Sequence, residues 1–255
     1  MSDEERRKLL KPNVSHADVL ALLRSYFSAT DTSKVVVLKS LDSYDDQNFL
    51  VSINDVQLLL KVHNGVESDN SPVIDLQNSI MLHLNKDSSV RTTAPLPPTS
   101  PSALPSPPLS VRVSLPVASS LHSPYPLCVR LLTFLPGSPM SSSPVPPSLL
   151  VRCGSYLASV DALLDALAPH PAADRFHQWD GKNTAGLRPF AAHVPDGPKR
   201  RLVAQVLDAF EAKVLPCAGD FRTGVLQADF NDANIIVGED GQLAGVIDFG
   251  DAVKR

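Results

Sequence analysis

Residues 227–251 have the sequence QADFNDANIIVGEDGQLAGVIDFGD. Two short apolar runs, residues 234–237 and 243–247, lie on either side of Glu239-Asp240-Gly241. Because this tripeptide is typical of tight turns, the pattern predicts a β-hairpin. A hairpin brings the residue before its first strand close to the residue after its second strand.

Three oxygen-bearing side chains flank this hairpin. Asp229 and Asn234 bracket the polar loop before it, and Asp248 follows its second strand. Phosphoryl transfer requires such a set: one carboxylate orients the attacking hydroxyl group and accepts its proton, while an amide oxygen and a second carboxylate hold Mg²⁺. Asp and Asn are also common turn residues, since their side chains form local hydrogen bonds. The three residues alone therefore leave a structural role open.

Composition and charge narrow the class of protein. The 255 residues are 43% hydrophobic and 20% charged, which is typical of a globular protein with one large domain or two small lobes. The formal charge of -4 and the lack of a basic stripe argue against a nucleic-acid binder. Without a signal-like N-terminus or an apolar membrane span, the expectation is a cytoplasmic protein with no membrane partner.

The first 86 residues predict the order helix, three strands, helix. Residues 15–29 have helical spacing with Ser15 as N-cap, and residues 34–41 form a β-branched strand. Two further apolar runs joined at Asn54–Asp55 predict a β-hairpin, and residues 73–86 return to helical spacing.

The middle of the chain is rich in proline. Fifteen of the 23 prolines lie between Pro95 and Pro147, in two Pro/Ser tracts. Such segments predict disordered insertions in surface loops, the first at about residues 88–110. Pro-rich tracts also bind SH3-like partners, but a passive linker is the favoured interpretation. Between the tracts, residues 126–137 predict a buried strand that ends in a Pro-Gly turn.

Two further helices are predicted before the hairpin. Residues 155–168 form an amphipathic pattern, and residues 199–215 form another that stops at Pro216. The second helix has one apolar face, made of Leu202, Val203, Val206, Leu207, Phe210 and Val214.

The motif pair QADFNDAN and VIDFGD resembles the HGDxxxxN and IDFGD pair of aminoglycoside phosphotransferases and choline kinase-like enzymes. The resemblance implies an α+β, two-lobed protein-kinase-like fold. It also implies that Asp229 is the catalytic carboxylate and that Asn234 and Asp248 are Mg²⁺ ligands. The His-Gly of the family motif is Gln227-Ala228 in this sequence.

The same resemblance extends to the N-terminal half. Lys61 matches the strand lysine that contacts the nucleotide phosphates, and Asp75 matches a helix carboxylate, mostly glutamate in relatives, that pairs with this lysine. Residues 129–137 resemble the segment leading into the interlobe hinge, whose backbone binds the purine. The cofactor-binding residues implied by these matches, including a loop that covers the phosphates but lacks glycine, are Lys61, Asp75, Ser43, Tyr44, Asp45, Asp46, Gln47, Leu132 and Phe134.

Several stretches, among them LDSYDDQNFLV and VRLLTFLPG, look like the hydroxylysine kinase branch of that family. This branch implies phosphate transfer from GTP, or from ATP, to the hydroxyl group of 5-hydroxy-L-lysine. Two alternatives stay open: another kinase of the same fold, acting on an aminoglycoside, choline, ethanolamine or homoserine, and a non-catalytic fragment or pseudokinase.

The resemblance also divides the chain. Residues 1–128 are expected to form the nucleotide-binding lobe, and residues 129–149 the hinge and a Pro/Ser-rich linker. Residues 150–255 are expected to form an incomplete C-terminal catalytic lobe, because relatives continue through several more helices.

Overall fold

The computed structural model describes residues 3–27, 34–99, 108–142, 144–177 and 180–255. The helices are α1 (Asp3–Leu9), α2 (His16–Tyr26), α3 (Gly65–Ser68), α4 (Ser71–Leu84), α5 (Pro147–Leu164) and α6 (Pro198–Lys213). The strands are β1 (Val35–Leu41), β2 (Gln47–Ile53), β3 (Val56–Val62), β4 (Pro95–Leu96), β5 (Val111–Leu115), β6 (Tyr125–Thr133), β7 (Ser138–Pro139), β8 (Val225–Leu226), β9 (Ile235–Val237), β10 (Leu243–Val246) and β11 (Val253–Lys254).

Strands β1 to β6 form one antiparallel sheet in the order β1-β2-β3-β6-β4. Strand β6 is long enough for β5 to pair with its first half while β4 pairs with its second half. The β2–β3 hairpin turns at Asn54 and Asp55, whose φ angles are 51° and 63°. Two successive left-handed residues are what a two-residue hairpin needs, and Asn and Asp tolerate that conformation. The hairpin predicted at Asn54–Asp55 is confirmed.

Strand β3 separates two hydrophobic cores. Leu58, Leu60 and Val62 pack with α2 in the first core, whereas Leu59 packs on the second core from the opposite face. Because side chains alternate along a strand, Lys61 lies on the same face as Leu59. The strand therefore directs its lysine towards the half of the molecule that carries the C-terminal hairpin.

The second core joins the sheet to the C-terminal part of the chain. It contains residues from α4, α5, β10 and the segment that follows β10: Leu76, Ile80, Leu84, Val160, Leu164, Val246, Phe249 and Ala252. Burial of these side chains fixes the hairpin against α4 and the sheet.

The prediction that both Pro/Ser tracts are disordered insertions is wrong where their residues lie in strands, in a helix or in the core. In the first tract, Val90 and Thr93 are buried and β4 forms an edge strand beginning at Pro95. In the second tract, β7 pairs with β9, and Pro147 lies in the first turn of α5. Proline is tolerated at all these positions, because edge strands and first helical turns leave backbone N–H groups unpaired. Residues 100–107 lie outside the described part of the chain.

The predicted helices are present, with two differences. Helix α5 begins at Pro147 rather than at residue 155, and the predicted apolar face of α6 is only partly covered. On that face Leu207 is buried, while Leu202 and Val206 are 60% and 56% exposed. The described segment Gly181–His193 packs against α6. Among the described residues, no helix has both the length and the apolar character needed to cross a bilayer.

Helix α2 begins with a reciprocal cap at Ser15. The Ser15 hydroxyl oxygen accepts a hydrogen bond from the Asp18 amide, and the Asp18 carboxylate accepts one from the Ser15 amide at 2.9 Å. These bonds satisfy backbone donors that a helix leaves unpaired at its start.

Ser15→Ala is expected to lower the free energy of unfolding by about 1 kcal/mol, because it removes the side-chain half of this cap. Urea denaturation measures the change. Ser25→Ala, at an exposed position inside the same helix, is the control, with an expected change below about 0.5 kcal/mol. Equal losses in the two variants would contradict the capping role.

Candidate active site

The loop before β9 orients two of the predicted site residues. Asp229 accepts hydrogen bonds from the side-chain amides of Asn231 and Asn234, each at 2.7 Å and each on a different carboxylate oxygen. The Asn234 amide also donates to the Asp229 carbonyl at 3.0 Å. Among the described residues nothing donates to Asn234 Oδ1, so this oxygen keeps its lone pairs for a ligand.

The predicted C-terminal hairpin is confirmed as β9 and β10. Ile235 pairs with Val246, and one residue further out the Ile247 amide donates to the Asn234 carbonyl at 2.9 Å. Asn234 and Asp248 are therefore adjacent across the open end of the hairpin. The turn has Gly241 at φ +69°, and the Gly238 amide donates to the Gln242 carbonyl.

A buried glutamine ties the two motifs together. Gln227 is 1% exposed, and its amide group donates to the Asp248 carbonyl at 2.6 Å and accepts from the Asp229 amide at 2.8 Å. Ala228 and Asp248 both have positive φ angles, of 67° and 59°, which are unfavourable for residues other than glycine. The bonds from Gln227 stabilise the backbone on both sides of these strained residues. Gln227 stands where the family has histidine, so an amide supports the loop in this chain.

Asp248 brings the hairpin to the sheet. One of its carboxylate oxygens accepts a hydrogen bond from the Gly250 amide at 3.0 Å, and the other lies 3.7 Å from Lys61 Nζ. The Asp248 side chain is 44% exposed, whereas that of Lys61 is 11% exposed. A partly open carboxylate thus faces a buried ammonium group.

Lys61 forms its closest ion pair with Asp46, at 2.7 Å. The predicted pair with Asp75 is wrong, because Asp75 lies on the exposed side of α4. The buried side of that helix carries Gln77 and Asn78, whose side-chain oxygens accept hydrogen bonds from Arg130. The carboxylate partner of Lys61 is therefore Asp46, in the loop before β2, and not a residue of α4.

The other predicted residues of that loop contact the N-terminal segment. The Tyr44 hydroxyl donates to Glu4, Asp45 pairs with Arg7, and Gln47 Oε1 accepts from the Val14 amide at 2.7 Å. Ser43 is half-buried between the exposed Asp42 and Tyr44. No sequence pattern indicated these contacts, because α1 carries charges on all sides and no motif.

Leu132 and Phe134, the predicted purine-binding residues, lie at the end of β6. Leu132 is still inside the strand, paired with Leu59 and Pro95, and its side chain is buried in the second core. Phe134 is the first residue after the strand. Their roles in nucleotide binding stay predictions.

The segment after Asp248 is held by a neighbouring loop that the sequence did not signal. Arg175 donates to the carbonyls of Gly250 and Ala252, and His177 lies 3.1 Å from the Asp251 carboxylate. The hydrogen bond from His177 lowers the pKa of Asp251, against the opposing effect of burial. These bonds fix the backbone immediately beyond Asp248.

A family model described as the phosphotransferase enzyme family matches residues 37–254. The chain belongs to this family. A hydroxylysine kinase from Danio rerio is 31% identical over 252 residues, which are 94% of this chain and 66% of the relative. A hydroxylysine kinase from Bos taurus is 29% identical and covers 97% of this chain and 67% of its own length. The chain thus spans about two thirds of the length of these relatives.

Solved structures of low sequence identity share the fold. A microcompartment-associated aminopropanol kinase superposes with a TM-score of 0.64 at 18% identity, covering 93% of this chain and 70% of that one. An amicoumacin kinase in complex with AMP-PNP and Ca²⁺ superposes with a TM-score of 0.60 at 14% identity, covering 100% of this chain and 68% of that one. These similarities confirm the predicted α+β, protein-kinase-like fold.

Gln227→Leu is expected to lower the free energy of unfolding by about 1–3 kcal/mol, because it leaves the Asp229 amide and the Asp248 carbonyl without their partner. Urea denaturation measures the loss. Gln57→Leu, at an exposed position of β3, makes the same chemical change and is expected to shift stability by less than about 0.5 kcal/mol. A Gln227→Leu chain as stable as this control would show that the amide does not join the two motifs.

Proposed function

We propose that this chain is a small-molecule kinase that transfers the terminal phosphate of GTP or ATP to the hydroxyl group of an amino alcohol, with 5-hydroxy-L-lysine as the first candidate. One observation carries the proposal. The buried Lys61 ammonium lies 3.7 Å from the Asp248 carboxylate, at the end of the hairpin that also holds Asp229 and Asn234. A phosphate-binding cation and a set of oxygen ligands therefore face each other.

Asn234 and Asp248 fit a Mg²⁺ ion by the chemistry of their donor atoms. Asn234 offers an amide oxygen with no hydrogen-bond donor among the described residues, and Asp248 offers a partly exposed carboxylate. Hard oxygen donors of this kind suit Mg²⁺. When bound, the ion supplies charge stabilisation to the phosphates during transfer.

Asp229 is proposed to accept the proton of the acceptor hydroxyl group. Its two carboxylate oxygens are oriented by Asn231 and Asn234, so the carboxylate is held in one direction before the acceptor arrives. Lys61 is proposed to bind phosphate oxygens of the nucleotide, a contact for which its ammonium group is already positioned.

The acceptor class rests on the hydroxylysine kinases, at 29–31% identity across nearly the whole chain. An amino alcohol places a cationic amine next to the hydroxyl group that reacts. A panel of 5-hydroxy-L-lysine, choline, ethanolamine, homoserine and an aminoglycoside, each with GTP and with ATP, identifies the acceptor and the donor.

Asp229→Asn is expected to lower turnover by about 10²–10⁴-fold, because the amide cannot accept the proton, while nucleotide affinity changes by less than about twofold. Nucleotide consumption and calorimetric titration measure the two quantities. Asp232→Asn is the matched control, since Asp232 lies exposed in the same loop and, within the described residues, its backbone carbonyl accepts a hydrogen bond from the Ser141 amide.

If Asp229→Asn lowered turnover and nucleotide affinity equally, Asp229 would have a structural role. An unchanged chain that binds nucleotide with Mg²⁺ but phosphorylates none of the acceptors would overturn the proposal in favour of a non-catalytic nucleotide-binding protein.

A further inference from the structure

Asp46 and Lys61 form a buried ion pair between the loop before β2 and the end of β3. The Asp46 side chain is 6% exposed; one carboxylate oxygen lies 2.7 Å from Lys61 Nζ, and the other accepts from the Asn64 amide at 2.7 Å. Burial opposes the charged form of Asp46, but the charge of Lys61 and the hydrogen bonds from Lys61 and Asn64 lower its pKa well below the usual range. Both groups of the pair are therefore charged.

Helix α4, on which a carboxylate partner of Lys61 was expected, does not supply one. Along α4, Ile74, Gln77 and Asn78 are buried, whereas Asp75 is exposed. Gln77 and Asn78 fill the space behind β6 with neutral side chains that accept hydrogen bonds from Arg130 at 2.6 and 2.8 Å. An acid at position 75 is outside this interface.

Arg130 does not compete for Asp46, although it is paired directly with Lys61 across β3 and β6. Its Nε group donates to His63 Nε2 at 2.9 Å, so the proton of His63 lies on Nδ1. That nitrogen is 2.9 Å from Glu67 and 3.8 Å from Asp46. Arg130 therefore donates to neutral groups, and Glu67 lies on the far side of His63 from it. Asp46 remains paired with Lys61.

Asp46, His63 and Glu67 have acceptor atoms within 4.8 Å of one another, a spacing that also suits a metal ion. Lys61 pairs with Asp46 at 2.7 Å and Arg7 lies 3.7 Å from Glu67, so each carboxylate of this group already has a cationic partner. The cluster is thus a balanced network of ion pairs and hydrogen bonds.

We infer that Asp46 is the positioning residue for Lys61, in place of a carboxylate on α4. The inference rests on the proposed function, because it assigns a role in binding the nucleotide phosphates. Lys61 faces Asp46 at 2.7 Å and Asp248 at 3.7 Å. If Asp248 held a metal ion, Asp46 would be the carboxylate that keeps the Lys61 ammonium group directed at the phosphates.

A double-mutant cycle tests the pair without any activity. Thermal unfolding is compared for the unchanged chain, Asp46→Asn, Lys61→Met and the double variant. Each single change leaves a buried charge without its partner, so the double variant is expected to lose less in Tm than the sum of the single losses. If Asp46→Asn alone fails to fold, the double variant is expected to fold. Additive losses, or a double variant no better folded than Asp46→Asn, would overturn the pair.

Nucleotide affinity tests the positioning role. Asp46→Asn is expected to weaken binding of GTP and ATP by about tenfold, measured by calorimetric titration with Mg²⁺. Asp75→Asn and Asp55→Asn make the same change at exposed positions of the same half of the molecule and are expected to stay within about twofold. A tenfold loss in Asp75→Asn, or none in Asp46→Asn, would overturn the assignment.

The two experiments separate the two proposals. If the chain without substitutions binds no nucleotide, the proposed function and the positioning role are both overturned. Non-additive Tm losses in the double-mutant cycle would still support the Asp46–Lys61 pair.

Discussion

A buried ammonium group between two carboxylates determines how the sheet and the C-terminal hairpin meet. Lys61 contacts Asp46 in the loop before β2 and Asp248 at the hairpin end. Burial alone would lower the pKa of Lys61, but Asp248 and Asp46 raise it well above its usual value, so the lysine stays charged. A buried charge without a partner is costly, and this cost links the position of the hairpin to that of the strand.

The hairpin meets this requirement through its own backbone. Asp248 has a left-handed conformation that directs the chain away from β10. The Gln227 side chain donates a hydrogen bond to the Asp248 carbonyl and accepts one from the Asp229 amide. The same few hydrogen bonds thus place one carboxylate near the sheet and orient the other beside Asn234. Gln227 can make this link because a side-chain amide can donate and accept at once.

Much of this arrangement follows from local sequence. The Glu239-Asp240-Gly241 turn and the Asn54-Asp55 turn fix two hairpins, since their residues favour the backbone angles that such turns need. The partner of Lys61 does not follow from local sequence, because it depends on the path of a loop between β1 and β2. Helical spacing did carry one signal: Gln77 shares the apolar side of α4 with Ile74 and Met81, which leaves Asp75 off that side. Composition also misled, since proline content does not distinguish an edge strand or a helix start from a disordered loop.

The central claim is that Asn234 and Asp248 together bind one divalent cation that faces Lys61. Electron paramagnetic resonance of Mn²⁺, titrated in the presence of nucleotide, measures this most directly. The account predicts one bound ion per chain, lost in Asp248→Asn and retained in Asp240→Asn, a matched change at the exposed hairpin turn. Undiminished Mn²⁺ binding in Asp248→Asn would contradict it.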